Sequence, residues 1–179
     1  MNSDRYLDDR TGVLVLDMLN DFVLPSAPLA VPGATELAAR IAAFLERARA
    51  SGATVVYACD RHAPDDPEFA HWPAHAVRDT PGSEVVEQLQ PEPADLLVAK
   101  QHYDAFLETD LDQKLSQHNV ARVILTGLVT EVCVLLTGLT AGQLGYQVVV
   151  PQGLVIGLSE DDHSWALRHI QRLVGAEVV

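Results

Sequence analysis

Apolar residues in this chain gather into short continuous runs separated by stretches with helical spacing. The runs are Val13 to Leu16, Thr54 to Cys59, Leu96 to Ala99, Arg122 to Thr126, Gln147 to Val150 and Ala176 to Val179. They are continuous rather than alternating, as in strands buried on both faces. Between them, Thr35 to Ala50 sets Leu37, Ile41, Phe44, Leu45 and Ala48 at helical spacing, and Asp110 to His118 predicts a shorter helix. Glu131 to Leu144 is almost wholly apolar, and Ser159 to Val174 begins Ser-Glu-Asp-Asp, an N-cap followed by acidic first-turn residues. Alternation of strand and helix predicts an α/β fold, a three-layer sandwich around a mainly parallel sheet of about six strands with right-handed crossovers.

The stretch from Asp60 to Gly82 breaks this rhythm, with Pro64, Pro67, Pro73 and Pro81 and no regular period. Loops of that length inside compact domains are usually functional or disordered. This one carries His62, His71 and His75, the rings of Phe69 and Trp72, and several carboxylates, a content that favours function. With no repeat, low-complexity tract or linker, a single domain over residues 1–179 is expected.

Charge narrows the partners. Twenty-five acidic against 12 basic residues give a net charge of −13 with no basic patch, which argues against nucleic acid and anionic membranes. No apolar run reaches the roughly 18 residues of a membrane span, and Met1 to Arg10 is polar and charged, unlike a signal peptide. A cytoplasmic protein is the expectation. Cys59 and Cys133 form no spacing motif, so a disulfide framework is not expected.

Cys133 lies just after the strand ending at Thr126, near the start of the Glu131 to Leu144 helix. Unpaired amides and the macrodipole at such a position favour a thiolate and could hold an oxyanion. Asp17 and Lys100 close two further apolar runs, and lysine occurs only at positions 100 and 114. If those strands are parallel neighbours, all three side chains meet at the edge where open α/β sheets bind ligands. Nucleophile, base and cation would then stand together. A lone helix cysteine is ordinarily a small buried hydrophobe; the repeated strand-end placement argues otherwise.

Asp60 and His62 follow the second run and point to the same side of an extended segment, with His75 able to close a site from the loop. One carboxylate and two imidazoles would hold a divalent cation with positions left open, and zinc, iron or manganese all suit such a set. His102, His118, His163 and His169 lack such company.

Together these residues resemble the isochorismatase-like cysteine hydrolases, which include nicotinamidases. The resemblance runs from Val13 to Asp17 with Asn20-Asp21-Phe22, through Asp60-Arg61-His62, Trp72 to His75 and Thr80-Pro81-Gly82, to Lys100 to Phe106 and Thr126 to Val134. It implies Cys133 as nucleophile, Asp17 as general base and Lys100 as supporting cation. It also implies a cis peptide between Leu128 and Val129 that turns the amides of Val129 and Cys133 toward the oxyanion. Phe22, Trp72 and Tyr103 fall where the family lines its substrate pocket. In nicotinamidases the residues matching Asp60, His62 and His75 bind a metal, commonly zinc, that anchors the pyridine nitrogen; Glu68 is the candidate for a fourth ligand.

Two features depart from the nicotinamidase pattern: Leu19 stands where glutamine is usual, and Lys100 to Phe106 is compact, as in the isochorismatase-like branch. The sequence therefore predicts a hydrolase of a small carboxamide, with nicotinamide first. A metal-free isochorismatase or ureido hydrolase, or a non-catalytic binding protein on the same fold, are the alternatives. The apolar Glu131 to Leu144 helix and the resemblance together suggest a homo-oligomer.

Overall fold

Residues 3–179 are described by the computed structural model. Seven strands, β1 (Thr11–Leu16), β2 (Thr54–Asp60), β3 (Leu96–Lys100), β4 (Arg122–Leu128), β5 (Gln147–Val150), β6 (Val155–Ile156) and β7 (Glu177–Val178), make one sheet. Its order is β3-β2-β1-β4-β5-β7, with β6 paired to β4, and the strand pairings are parallel. The α/β sandwich expected from the sequence is therefore present. β6 adds a seventh strand, and its two residues are too few to mark an apolar run.

Continuous apolar strands are explained by two cores. Val13 and Val15 of β1 face one cluster with Leu37, Ile41 and Phe44 of α2 (Ala34–Ala50), and α1 (Asn20–Val23) adds Phe22 there. Leu14 and Leu16 face the other cluster. It includes Leu111 and Leu115 of α3 (Leu111–Gln117), Ala141 of α4 (Leu135–Gln143) and Ile170 of α5 (Glu160–Val174). Each buried Leu, Ile or Phe contributes about 1.5–3 kcal/mol relative to exposure, so both faces of the sheet stabilise the fold. Ser159 caps α5 through the Asp162 amide, as its sequence predicts. None of the described helices is long and apolar enough to cross a membrane.

The chain builds β2 and β3 on one side of β1 and β4 on the other, so strand order reverses between β1 and β4. Ligands bind outside the carboxyl ends of strands at such a switch point. Backbones crowd together there: Gly127 has φ +105°, and a Cβ on it would stand 2.1 Å from the Leu16 carbonyl oxygen. Only glycine fits that contact.

Candidate active site

Four strand ends deliver the candidate residues. Asp17 follows β1, Asp60 and Lys100 end β2 and β3 and pair in register, and Cys133 lies in a π-helical turn, Thr130–Val134, after β4. Asp17 has φ +52°, a left-handed conformation that Asp tolerates better than most residues. Its amide continues the ladder to Ala58 (3.1 Å), while its Oδ1 accepts the Asp60 amide at 2.9 Å. The Leu128–Val129 peptide is cis, as the resemblance implied.

Lys100 organises this cluster although it is 1% exposed. Its Nζ lies 2.5 Å from Asp60 Oδ1, 2.8 Å from Asp17 Oδ2 and 3.8 Å from Cys133 Sγ. Burial would lower the Lys100 pKa, but the two carboxylates outweigh it and raise it well above the ordinary value. Burial, followed by the Asp60 charge, pushes Asp17 up to about 6 against the pull of Lys100. Asp60 goes the other way: Lys100 and His62 overcome its burial and hold it below the usual carboxylate range. Asp17 Oδ2 is buried and ion-paired with the Lys100 ammonium at 2.8 Å. A carboxylate oxygen has more than one lone pair, so Asp17 can also accept from the Cys133 thiol beside it.

The helix-start expectation for Cys133 needs correction. Burial raises its pKa well above the ordinary thiol value; Lys100 opposes this, but the Asp17 and Asp60 carboxylates add to it. At rest the group is a thiol, and it needs a base. Cys133 also lies inside the π-helical turn, two residues before the first residue of α4, Leu135.

Asp60, His62 and His75 are buried, with one donor atom from each lying within 4.8 Å of the others. His62 Nδ1 is 3.0 Å from Asp66 Oδ2, and His75 Nδ1 is 2.7 Å from the Pro73 carbonyl oxygen. A carbonyl oxygen only accepts, as does an ionised carboxylate, so both Nδ1 atoms donate and the Nε2 atoms are left for other partners. His62 Nε2 is buried with no hydrogen-bond partner among the described residues, 3.7 Å from Asp60 Oδ2. Burial lowers the His62 pKa, yet Asp60 and Asp66 outweigh it and raise the ring to about 9. These donors and the charge they attract fit a divalent cation. Glu68 Oε1 lies 3.8 Å from His75 Nε2, within reach of the same place, whereas His71 is exposed and outside the donor group.

Asp17, Asp60 and Cys133 open into a 460 Å³ cavity that Glu68, His75 and Val129 also line. Phe22 meets it beside His75, with ring centroids 5.4 Å apart. Trp72 and Tyr103 stand in its wall joined by an Nε1–H to hydroxyl bond of 3.2 Å. Lys100 and His62 lie behind the lining. The structure thus brings together every residue singled out in the sequence, and Leu19, the departure, is fully buried outside the lining.

An isochorismatase domain model matches residues 11–179. The chain belongs to the isochorismatase family. Within that family it is 30% identical to the protein PncA of Bacillus subtilis, over 94% of this chain and 98% of the relative. The crystal structure of nicotinamidase/pyrazinamidase PncA from Bacillus subtilis superposes with a TM-score of 0.89 at 31% identity, covering 95% of this chain and 99% of that one. The pyrazinamidase of Pyrococcus horikoshii in complex with zinc also gives 0.89, at 28% identity over 95% and 98% of the two chains.

The roles of three residues of this isochorismatase-family chain escaped the sequence reading. Asp66 holds His62 and also accepts the Glu68 amide at 2.9 Å, so one carboxylate orients both a ring and the turn Pro67–Ala70. Its position four residues after His62 is the signal that could have found it. Asp21 accepts the Ala76 amide at 2.9 Å and thereby fixes the backbone beside His75. His163, set aside as ordinary, pairs with the buried Thr130 hydroxyl at 2.9 Å, at the start of the turn that bears Cys133.

Proposed function

We propose that the protein hydrolyses a small, neutral aromatic carboxamide, with nicotinamide as the leading substrate, releasing ammonia and a carboxylic acid. The observation that carries this reading is the cavity itself. Asp17 and Cys133 meet at its floor over Lys100, and no arginine or lysine lines it. Isochorismate and ureido acids carry carboxylates, which such a lining does not pair. The similarity to nicotinamidase/pyrazinamidase PncA and to the zinc-bound pyrazinamidase supports the same choice.

In this mechanism Asp17 takes the Cys133 proton as sulfur attacks the amide carbon, and the Val129 and Cys133 amides hold the oxyanion. Asp17 then passes the proton to the leaving nitrogen, ammonia departs and a thioester remains. Asp17 next deprotonates a water that attacks the thioester, and the proton returns to the thiol. Lys100 offsets the charge of Asp17 and Asp60 and supports the sulfur anion as it forms. Asp60, His62 and His75, with Glu68 as a fourth donor, would hold a divalent ion, zinc first and iron or manganese as alternatives. When bound there, such an ion would supply a Lewis acid suited to anchoring a ring nitrogen. Phe22, Trp72 and Tyr103 confine the ring. A cytoplasmic homo-oligomer acting on a free small molecule completes the reading.

Ammonia release from a panel of nicotinamide, pyrazinamide, maleamate and ureido acids, with and without zinc or manganese, tests it. Turnover of the neutral ring amides above the acids is expected. Preference for a carboxylate-bearing substrate without metal would overturn the reading in favour of the metal-free branch.

A further inference from the structure

We infer that the cavity contains an apolar subsite beyond the space of a simple ring amide, one that takes an apolar substituent on the substrate ring; this rests on the carboxamide reading above. Nicotinamide has nine heavy atoms, and bonded atoms take up less than the roughly 30 Å³ share of a free water molecule in the liquid, so it fills at most about 270 Å³. The cavity measures 460 Å³. The difference, at least about 190 Å³, is room for at least about six more heavy atoms.

The added room is not at the reacting end, where Asp17, Asp60 and Cys133 are 1%, 5% and 7% exposed. It lies along Ala27 to Val31, the segment between α1 and α2, and Leu158, which line the same cavity. No side chain among these has a polar atom, so a polar substituent finds no partner there while an apolar one sheds water. Both walls are tied down. Val31 and Leu29 donate to the Phe22 and Asp21 carbonyls at 2.8 and 3.2 Å. Leu158 donates to Glu131 Oε1 at 2.8 Å, and the other Glu131 oxygen packs over Gly157, where a Cβ would come within 2.5 Å. Glu131 therefore fastens the Leu158 wall to the turn that carries Cys133.

The test compares nicotinamide with its derivative bearing a phenyl group at the free ring carbon meta to the carboxamide, which leaves both carbons beside the ring nitrogen bare. With zinc or manganese supplied, kcat/KM for the phenyl derivative is expected to equal or exceed that for nicotinamide. The ratio of the two should fall at least tenfold in Leu29→Trp and in Leu158→Trp; the latter side chain is 52% exposed and leaves folding intact. A wild-type ratio below one, or a ratio unmoved by Leu158→Trp, overturns the subsite while nicotinamide turnover keeps the carboxamide reading. Failure of the wild-type protein to release ammonia from either compound overturns both.

Discussion

Asp17, Asp60, Lys100 and Cys133 stand at strand ends or in the turn just beyond and are at most 7% exposed, whereas Trp72 and Tyr103 stand on loops and are 40% and 37% exposed. Backbone ladders position the first group, and Asp60 and Lys100 are themselves paired across β2 and β3. The second group depends on hydrogen bonds within the loops: Trp72 Nε1–H donates to the Tyr103 hydroxyl and the Trp72 amide to the Glu68 carbonyl, while Asp66 of the same loop holds His62 and the Glu68 amide. Bond-making groups demand tight placement, because small misplacements of reacting atoms cost large factors in rate. Groups that only anchor a substrate tolerate a looser support. Asp60 belongs to both, with Oδ1 on Lys100 and Oδ2 toward His62.

Breaking the floor should have the largest effect. Cys133→Ala or Asp17→Asn is expected to lower kcat at least about a thousandfold with the circular dichroism spectrum unchanged, since members of one catalytic unit fail together. A variant keeping a tenth of the activity would contradict the assignment. Breaking the wall should act differently. Removing metal with a chelator, or His75→Ala, should raise KM by a larger factor than it lowers kcat, as read from full saturation curves. An equal fall in kcat would place the ion in the bond-making step.

Asp66→Asn sharpens the comparison, because it leaves the floor untouched and disturbs the ring that the wall presents. Its expected consequence is a metal affinity weaker by about 10–100-fold, measured by competition with a chromophoric chelator. Unchanged affinity would mean that Asp66 serves only the turn. Acid should act on the floor through Asp17, and more gently. Asp17 titrates near 6 and must be ionised to accept the thiol proton, so kcat/KM should fall about tenfold per unit as pH drops below that value and level off above it. A profile with no acid limb between pH 5 and about 7 would remove Asp17 as the base.

Much of the floor was legible because strands buried on both faces leave continuous apolar runs, and an ionisable residue closing such a run stands out. Asp17 and Lys100 were visible in that way, and Cys133 by the turn after β4. The wall was legible only as a set of donor types. Asp66 was missed because a carboxylate in a polar loop looks solvated until its partner is known, and Asp21 because its partner, Ala76, is 55 residues away. The thiol pKa was misjudged for a related cause: a helix start suggests a thiolate, but burial and two nearby carboxylates depend on tertiary neighbours. β6 left no trace, since two residues make no period.

Alkylation tests the central claim most directly, because the chain has two buried cysteines in unlike settings. Cys59 sits in the α2-side core, with its pKa pushed up to about 12 by burial and the Asp17 charge, whereas Cys133 lines the cavity beside the Asp17 carboxylate. Iodoacetamide labelling mapped by mass spectrometry, with ammonia release followed in the same samples, should show Cys133 modified first. Its rate should climb as pH rises through about 6, where Asp17 ionises, and activity should be lost in proportion to Cys133 labelled. Labelling confined to Cys59, or full turnover by protein already alkylated at Cys133, would contradict the account.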